Sequence, residues 1–411
     1  MGSVSNSTNI SNKHSGKKYT LLAVCALSVL AGFTSNTYAD GGINYSITYN
    51  DGVVTNMPID LNSTSVGSSV TLSSNVPAWD KHNFLGWCSG TITNSDGIDS
   101  CSGTTYAAGS NYTLSGSGPN ALSLTAMWQK LLTLADATNM QDLASNDYCT
   151  NTTIGDTATL TDSRDGTTYT VGKLADGKCW MLDNLALDLT NSTVLNAMSE
   201  SNTNASNTSL GYLKNGGGTA SDQYATAKVA NWTSSYSNSA PLVNMTNKDI
   251  VPTSYNFTDD PMKDAVLTGN WKVGGYYNYC AASAGSYCYG NGTSAGTSSG
   301  NATESICPAG WRMPTGSTGE FRALGTAITG VSTGNYTGDN YTNYRAALHL
   351  PLSGYFYGGS PSIQGGSGGW WSSTRNSNGN MYYLYAGTST IAPANSSSRY
   401  GGSSLRCVAG S

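Results

Sequence analysis

The chain has 411 residues, only 10% of them charged, and a formal net charge of −5. An average soluble protein has ~25% charged residues, so the scarcity of Lys and Arg argues against a nucleic-acid-binding protein, and the low charge argues against a coiled coil. Three His leave little for histidine metal sites or catalytic triads. The 49 Gly and 26 Tyr are instead typical of an extracellular, loop-rich β protein.

Residues 1–39 have the pattern of a secretory signal peptide. Lysines precede an apolar run at 19–33, which is short for a membrane span, and small residues precede Asp40, where we expect cleavage. No later run approaches the ~20 apolar residues of a spanning helix. The prediction is an exported protein, extracellular or at the cell surface, with no membrane span in the mature chain. The alternative is an uncleaved anchor.

Cysteines are a second indication of export. Apart from one in the leader, they are Cys88, Cys101, Cys149, Cys179, Cys280, Cys288, Cys307 and Cys407. An even number in an exported chain favours disulfides, and no pair has the C-x-x-C spacing of zinc or thioredoxin-like sites. Roughly a hundred pairings are possible, so composition alone leaves the pairing open. We expect no metal and no cofactor.

The segment 40–129 predicts a small β module. Residues alternate between apolar and polar at 45–49 and at 122–128, as in half-buried strands, with a turn at 50–52. Phe84, Trp87 and Trp128 are the candidate core, because burying such rings drives a small domain to fold.

This segment resembles the Listeria–Bacteroides repeat, also met as the B-repeat of internalin-type proteins. The matching patterns are F-x-G-W at 84–87, Y-x-x-G at 106–109 and L-x-A-x-W at 124–128. The resemblance implies a β-grasp-like module of bacterial surface proteins, without catalysis. Cys88 and Cys101 are its only cysteines, so they are expected to pair.

From residue 130 to 411 the sequence predicts a larger mixed region. Residues 130–150 are helix-prone, and 159–171 predicts a hairpin around Asp165-Gly166, with another turn at Asp176-Gly177. Between about 189 and 300, Asn, Ser, Thr and Gly predominate in what we interpret as a low-complexity insertion. Such composition predicts surface loops with short ordered pieces.

Three blocks of this region resemble the Fibrobacter succinogenes major paralogous domain family. They are Arg164-Asp165-Gly166 with Trp180-Met181 and Asn184-Leu185, then Cys307-Pro308-Ala309-Gly310-Trp311-Arg312-Met313-Pro314-Thr315, then Trp370-Trp371-Ser372-Ser373-Thr374 with Ser404-Leu405-Arg406-Cys407-Val408. The later blocks also resemble the C-type-lectin-like fold in its formylglycine-generating-enzyme subtype. The resemblance implies an α+β, β-rich domain with a twisted antiparallel sheet, one or two helices and long loops.

The blocks carry expectations about the core. The tryptophans expected there are Trp180, Trp311 and one of the pair Trp370 and Trp371. Arg312 and Arg406 are expected to be hydrogen-bonded nearby, and a helix is expected after Thr315, with Phe321, Leu324 and Ile328 at helical spacing. The remaining disulfides are expected to be Cys149–Cys179, Cys280–Cys288 and, across the sheet, Cys307–Cys407.

Motifs for catalysis are weak. G-x-S-x-G occurs at 292–296 and 365–369, but without the strand before and the helix after the serine that a nucleophile elbow needs. Carboxylates that could hydrolyse glycosides as a pair are Asp259, Asp260, Asp264 and Glu320. Glu320 is expected instead to partner a nearby arginine. We therefore expect no enzymatic activity.

The sequence predicts a secreted cell-surface binding protein, an adhesin that recognises a glycan or protein on a host or neighbouring cell. The segments 354–373 and 376–399 are the expected recognition loops, because rigid rings beside Asn and Ser resemble adaptable paratopes. The ligand-binding candidates are Tyr355, Tyr357, Trp370, Trp371, Asn378 and Tyr382, and sugar stacking on Tyr383 and Tyr385 stays open. The alternatives are a structural cell-envelope component without a specific ligand, or a formylglycine-generating-type enzyme, which would need a reactive cysteine pair.

Overall fold

This computed structural model describes residues 45–50, 61–63, 69–113, 121–145, 147–215, 243–252, 260–286, 300–357, 360–376, 380–399 and 401–410. Strands outnumber helices, in agreement with the predicted β-rich α+β class. The predicted leader at 1–39, the first G-x-S-x-G at 292–296, Asp259, Cys288 and Asn378 lie outside the described residues. Within them, no helix has both the length and the apolar character needed to cross a membrane.

The N-terminal strands form one sheet and one separate pair. They are β1 (Tyr45–Asn50), β2 (Leu61–Ser63), β3 (Ser69–Thr71), β4 (His82–Cys88), β5 (Ile92–Ser95), β6 (Ile98–Cys101), β7 (Thr105–Tyr106), β8 (Asn111–Thr113) and β9 (Ala121–Lys130). The sheet order is β2-β1-β9-β4-β7, β5 and β6 form a hairpin whose second strand also pairs with β9, and β3 pairs with β8. The central β1 and β9 are parallel.

A bulge in β4 explains why F-x-G-W builds the core of these strands. The register shifts between Phe84 and Gly86, so that Phe84 pairs with Trp128 and Trp87 with Ala126. The rings of Phe84 and Trp87 therefore face the same side of the sheet, although an odd number of positions, three, separates them in sequence. Gly86 has a φ of 133°, and a Cβ there would lie 2.8 Å from the carbonyl oxygen of Tyr106. Trp87 and Trp128 are buried as predicted, whereas Phe84 is only partly buried.

The remaining strands form two five-stranded sheets and two separate antiparallel pairs. They are β10 (Thr157–Thr161), β11 (Thr168–Lys173), β12 (Cys179–Met181), β13 (Val243–Asn244), β14 (Tyr276–Tyr277), β15 (Gly300–Asn301), β16 (Trp311–Arg312), β17 (Tyr336–Thr337), β18 (Tyr355–Tyr357), β19 (Ser360–Ser362), β20 (Ser367–Arg375), β21 (Met381–Gly387), β22 (Thr390–Ser397) and β23 (Val408–Ala409). The sheet orders are β10-β11-β12-β23-β16 and β15-β20-β21-β22-β17, while β13 pairs with β14 and β18 with β19.

The helices are short. They are α1 (Asp147–Thr150), α2 (Ser192–Ala197), α3 (Asn207–Asn215), α4 (Lys263–Thr268), α5 (Tyr279–Ala282), α6 (Glu320–Thr329) and α7 (Gly338–Ala347). The helix-prone 130–150 stretch forms mainly 3₁₀ turns at Leu134–Asp136 and Met140–Ala144, because Asp136 and Asp142 accept hydrogen bonds from the backbone that begins each turn. The helix predicted after Thr315 is α6, and the Thr315 hydroxyl accepts the Glu320 N–H at 2.9 Å.

Both tryptophans of the Trp370-Trp371 pair are in the core, where only one was expected. Successive side chains on a strand point to opposite faces, and β20 is covered on both. Trp370 packs with Trp180 and Phe321, whereas Trp371 packs with Trp311. All four indoles are at most 1% exposed.

The segment 189–300, expected to be surface loops, contributes to the core wherever it is described. Leu195 of α2 and Leu210 and Leu213 of α3 are buried in the same cluster as Trp311. Polar composition hid this role because the apolar residues are few and widely spaced, yet several of them point inward.

Tyrosines of the same segment are also interior. Tyr277 and Tyr279 are fully buried, and their hydroxyls donate to the carbonyl oxygens of Leu187 at 2.9 Å and Ser373 at 2.6 Å. A buried hydroxyl with a partner carries little penalty, so these tyrosines behave as core residues.

Disulfides join the predicted partners wherever both cysteines are described. The bridges are Cys88–Cys101, Cys149–Cys179 and Cys307–Cys407. Cys280 is also disulfide-bonded. Disulfides of this kind are typical of proteins that fold in an oxidising compartment.

Replacing both Cys307 and Cys407 with Ser is expected to lower the free energy of unfolding by ~4–5 kcal/mol, because the bridge closes a loop with a sequence separation of 100. The matched control replaces Cys88 and Cys101, whose separation of 13 predicts a smaller loss. Urea denaturation without reductant measures both. Equal losses in the two variants would contradict the expectation.

Trp311→Ala is expected to cost ~3–5 kcal/mol, since it empties a buried site and removes the bond from the indole N–H to the Met140 carbonyl oxygen, 2.7 Å long. Trp79→Ala, at a position 36% exposed, is the control and should cost far less. A melting temperature unchanged by Trp311→Ala would refute the burial of this ring.

Candidate functional site

A cleft of about 350 Å³ opens at the β18 end of the second five-stranded sheet. It is lined by Tyr355, Tyr357, Ser367, Gly368, Gly369, Tyr383, Tyr385, Ser397, Gly401, Gly402 and Ser403. We call it the tyrosine cleft. Tyr355 and Tyr357, on the exposed face of β18, are 37% and 52% exposed, so rings form its rim and glycines part of its wall.

Glycines make room for the rings. Gly369 pairs with Tyr385 across β20 and β21. A Cβ on Gly369 would lie 3.1 Å from the Tyr383 ring and 3.2 Å from the Ser403 hydroxyl, so a side chain there would press on both. Rings that cover a cross-strand glycine stabilise a sheet that the glycine alone would weaken.

An aromatic chain anchors the cleft in the core. Tyr279 contacts Trp371 edge-on with ring centroids 5.7 Å apart, Trp371 contacts Tyr383 at 6.0 Å, and Tyr383 contacts Tyr385 at 6.5 Å. Such edge-to-face pairs are favourable beyond the area that they bury. The inner rings of the cleft are therefore held by packing and do not depend on a ligand for their orientation.

The cleft has polar groups but no charges among its described lining residues. Burial raises the pKa of Tyr383 to about 12, so its hydroxyl stays neutral at physiological pH. The Asn395 amide donates to that hydroxyl at 3.1 Å, and serine hydroxyls of Ser397 and Ser403 lie along the wall. Rings beside neutral donors and acceptors suit a ligand that has both apolar faces and hydroxyls.

The structure brings only part of the predicted set together. Tyr355 and Tyr357 line the cleft. Trp370 and Trp371 are 0% exposed and cannot touch a ligand, so their prediction as binding residues is wrong. Tyr382 is partly buried but is not among the lining residues, because it alternates with Tyr383 along β21.

The expected loops at 354–373 and 376–399 are mostly strands. Their glycine content pointed to loops, but Gly368 and Gly369 lie inside β20. A Cβ on Gly368 would lie 2.6 Å from the Trp370 ring, so the neighbouring indole occupies the space that a side chain would need. Tyr383 and Tyr385, left open by the sequence, are lining residues, and the two-residue alternation of β21 was the signal for them.

Two of the candidate catalytic carboxylates, Glu320 and Asp260, have structural roles, whereas Asp264 is exposed on α4. Arg312 Nη1 and Nη2 hold Glu320 at 2.6 and 2.8 Å, Lys178 forms a further ion pair, and the Thr315 N–H donates at 3.0 Å. Asp260 is fully buried in an ion pair with Arg345. Glu320 thus partners an arginine as expected.

The other enzyme motifs find little support in the described residues. Ser367, the serine of the second G-x-S-x-G, is 4% exposed at the start of β20 and no helix follows it directly. All seven described cysteines are disulfide-bonded, so none of them is a free thiol. In the same part of the chain, no three His, Cys, Asp or Glu side chains are grouped as metal ligands.

Comparison with known proteins gives no family assignment. No family model, no curated protein and no solved structure matches the chain. The two family resemblances therefore stay predictions, and the geometry of the tyrosine cleft is the basis for a function.

The Glu320 ion pairs predict an acid-sensitive stability. Burial by itself would raise the pKa of Glu320, but hydrogen bonds from Arg312 and Lys178 outweigh it and lower the pKa from 4.5 to about 2. A lowered folded-state pKa stabilises the fold above the unfolded pKa, and this contribution is lost as the pH falls from about 4.5 to 2.

Glu320→Gln is expected to lose about 3 kcal/mol of stability at pH 7 and to decline less than the parent between pH 5 and 2. Urea denaturation across this range measures the effect. Glu200→Gln, at an exposed position, is the control and should follow the parent. Parallel profiles for Glu320→Gln and the parent would show that the ion pairs contribute nothing.

Proposed function

We propose that this protein is a secreted, non-catalytic bacterial surface protein, an adhesin that binds a glycan in the tyrosine cleft. The observation that carries the proposal is an uncharged cleft with two exposed tyrosines at its rim and two inner tyrosines fixed by packing. Tyrosine supplies a large contact area at low entropic cost, together with a hydroxyl for hydrogen bonding.

The physical match is with a sugar ring. A pyranose has an apolar C–H face that can lie on an aromatic ring, and hydroxyls at its edge that need donors and acceptors. Tyr355 and Tyr357 offer the ring faces, while the serines of the wall and the tyrosine hydroxyls offer the polar contacts. Binding sites of this kind are concave, mostly apolar and largely preformed.

The disulfides support the location. They indicate folding in an oxidising compartment, which agrees with an exported protein. The proposed bacterial surface role rests on the resemblance to the Listeria–Bacteroides repeat and the major paralogous domain family.

Tyr357→Ala is expected to weaken glycan binding about tenfold or more, because it removes the most exposed ring of the cleft without emptying the core. Glycan-array binding followed by affinity measurement on the best ligand tests this, together with binding to intact cells. Tyr382→Ala, on the same sheet but outside the cleft, is the matched control.

Equal affinity of the parent and Tyr357→Ala would show that the cleft is not the binding face. If the parent binds no glycan and no cell, the adhesin proposal fails and the structural cell-envelope alternative takes its place.

A further inference from the structure

Arg375, the last residue of β20, is buried without its expected partners. It is 4% exposed, and its Nε and Nη2 atoms are enclosed with no hydrogen-bond partner. A buried cation is ordinarily paired and hydrogen-bonded, because leaving it unpaired is costly. None of the ion pairs among the described residues includes Arg375.

Other buried arginines show what these donors normally do. Arg164 uses the same edge, with Nε 2.9 Å from Oδ1 of Asp162 and Nη2 2.6 Å from Oδ2. Arg345 holds Asp260, and Arg406 donates from all three nitrogens. Arg375 thus presents the Nε–Nη2 edge with which an arginine binds a carboxylate in a bidentate pair, but no acceptor is bonded to that edge.

A second positive charge lies close by. Arg399 is 7% exposed, and burial, then the charge of Arg375, lowers the pKa of Arg399. Two like charges that act on each other repel, and an anion bound by Arg375 would lessen this repulsion.

The position of Arg375 connects it to the tyrosine cleft. Gly300, Arg375, Met381 and Ser397 pair in a row across four strands, and Ser397 lines the cleft. Gly300, the cross-strand partner of Arg375, has no side chain. Tyr383, two residues after Met381, lies on the same face of the sheet as this row.

We propose that Arg375, with Arg399 beside it, forms an oxyanion site that takes the carboxylate of an acidic sugar. The carboxylate accepts from Nε and Nη2 of Arg375, as Asp162 does from Arg164, while the neutral part of the saccharide lies toward the tyrosine cleft. The proposal of an oxyanion site rests on the unpaired Nε and Nη2 donors of Arg375. Its assignment to a sugar rests on the proposed function.

The first experiment compares glucuronate with glucose, which lacks the carboxylate, and with inorganic sulfate, by calorimetry on the full mature chain. Glucuronate is expected to bind and glucose to bind more weakly. Arg375→Gln should weaken glucuronate binding about 10- to 100-fold, since it removes a charged bidentate contact. Arg322→Gln is the control, because Arg322 lies on the surface of α6 with a donor on the Gly334 carbonyl oxygen.

Equal affinity of the parent and Arg375→Gln, or no binding of either anion by the parent, would overturn the proposal. Binding of sulfate but not glucuronate, lost in Arg375→Gln, would support the oxyanion site and overturn its assignment to a sugar carboxylate.

The second experiment tests whether Arg375 is truly unpaired in the free protein. In a buffer without carboxylate, sulfate or phosphate, Arg375→Met should keep or raise the melting temperature, because it removes unsatisfied buried donors. Arg164→Met should lower it strongly, because it leaves Asp162 buried and alone. An equally large fall for Arg375→Met would reveal an internal partner and refute the site.

Tyr357→Ala separates this proposal from the glycan proposal. Glucuronate binding that survives Tyr357→Ala but not Arg375→Gln supports the oxyanion site even if the cleft binds no glycan. Loss of glucuronate binding in Tyr357→Ala alone, with Arg375→Gln unaffected, would leave the cleft in place and overturn the oxyanion site.

Discussion

The packing of the two five-stranded sheets depends on one buried polar contact, between Arg406 and Asn184. Arg406 Nε donates to the Asn184 side-chain oxygen at 2.7 Å, and the same oxygen accepts the Trp370 indole N–H at 2.7 Å. The other Arg406 nitrogens donate to backbone carbonyls, including that of His349 at 2.8 Å. Burial lowers the pKa of Arg406 to about 9, yet it stays charged at neutral pH because neutral oxygens solvate it from several sides.

This contact explains why short blocks far apart in the sequence specify one structure. Asn184 follows β12, Trp370 lies in β20 and Arg406 precedes β23, so a single oxygen ties the two five-stranded sheets together. Once Trp370 is fixed on one face of β20, Trp371 must point to the other, where Tyr383 packs on it. A polar contact in the core thus fixes the tryptophan pair against which Tyr383 of the tyrosine cleft packs.

The sequence predicts the parts of the fold that depend on local rules. Asp165-Gly166 forms the turn between β10 and β11, with a glycine φ of 76°. The Thr315 hydroxyl accepts a hydrogen bond from the N–H of Glu320, the first residue of α6. The family blocks predict the Cys307–Cys407 bridge. Each of these signals is a residue type at a fixed spacing, which can be recognised without knowledge of the tertiary contacts.

The predictions that failed did so for one reason, which is that they depended on tertiary packing. In the sequence, Trp370 and Trp371 cannot be distinguished from exposed sugar-binding rings. They are core residues because both faces of β20 are covered by other layers of the fold. The insertion looked loop-like because Asn, Ser, Thr and Gly predominate in it, and the sequence does not show that its tyrosines find carbonyl partners in distant segments, as Tyr279 does on Ser373. Nothing in the sequence distinguishes Arg375 either, because only the tertiary structure shows that its Nε and Nη2 atoms have no hydrogen-bond partner.

The distribution of charge follows from the same logic. Five of the seven arginines are buried, at Arg164, Arg345, Arg375, Arg399 and Arg406, although arginine is ordinarily a surface residue. In this chain arginine therefore acts chiefly as an internal hydrogen-bond donor that connects segments poor in apolar residues. It follows that a guanidinium left without a carboxylate inside such a protein stands out as a place for an anion from outside.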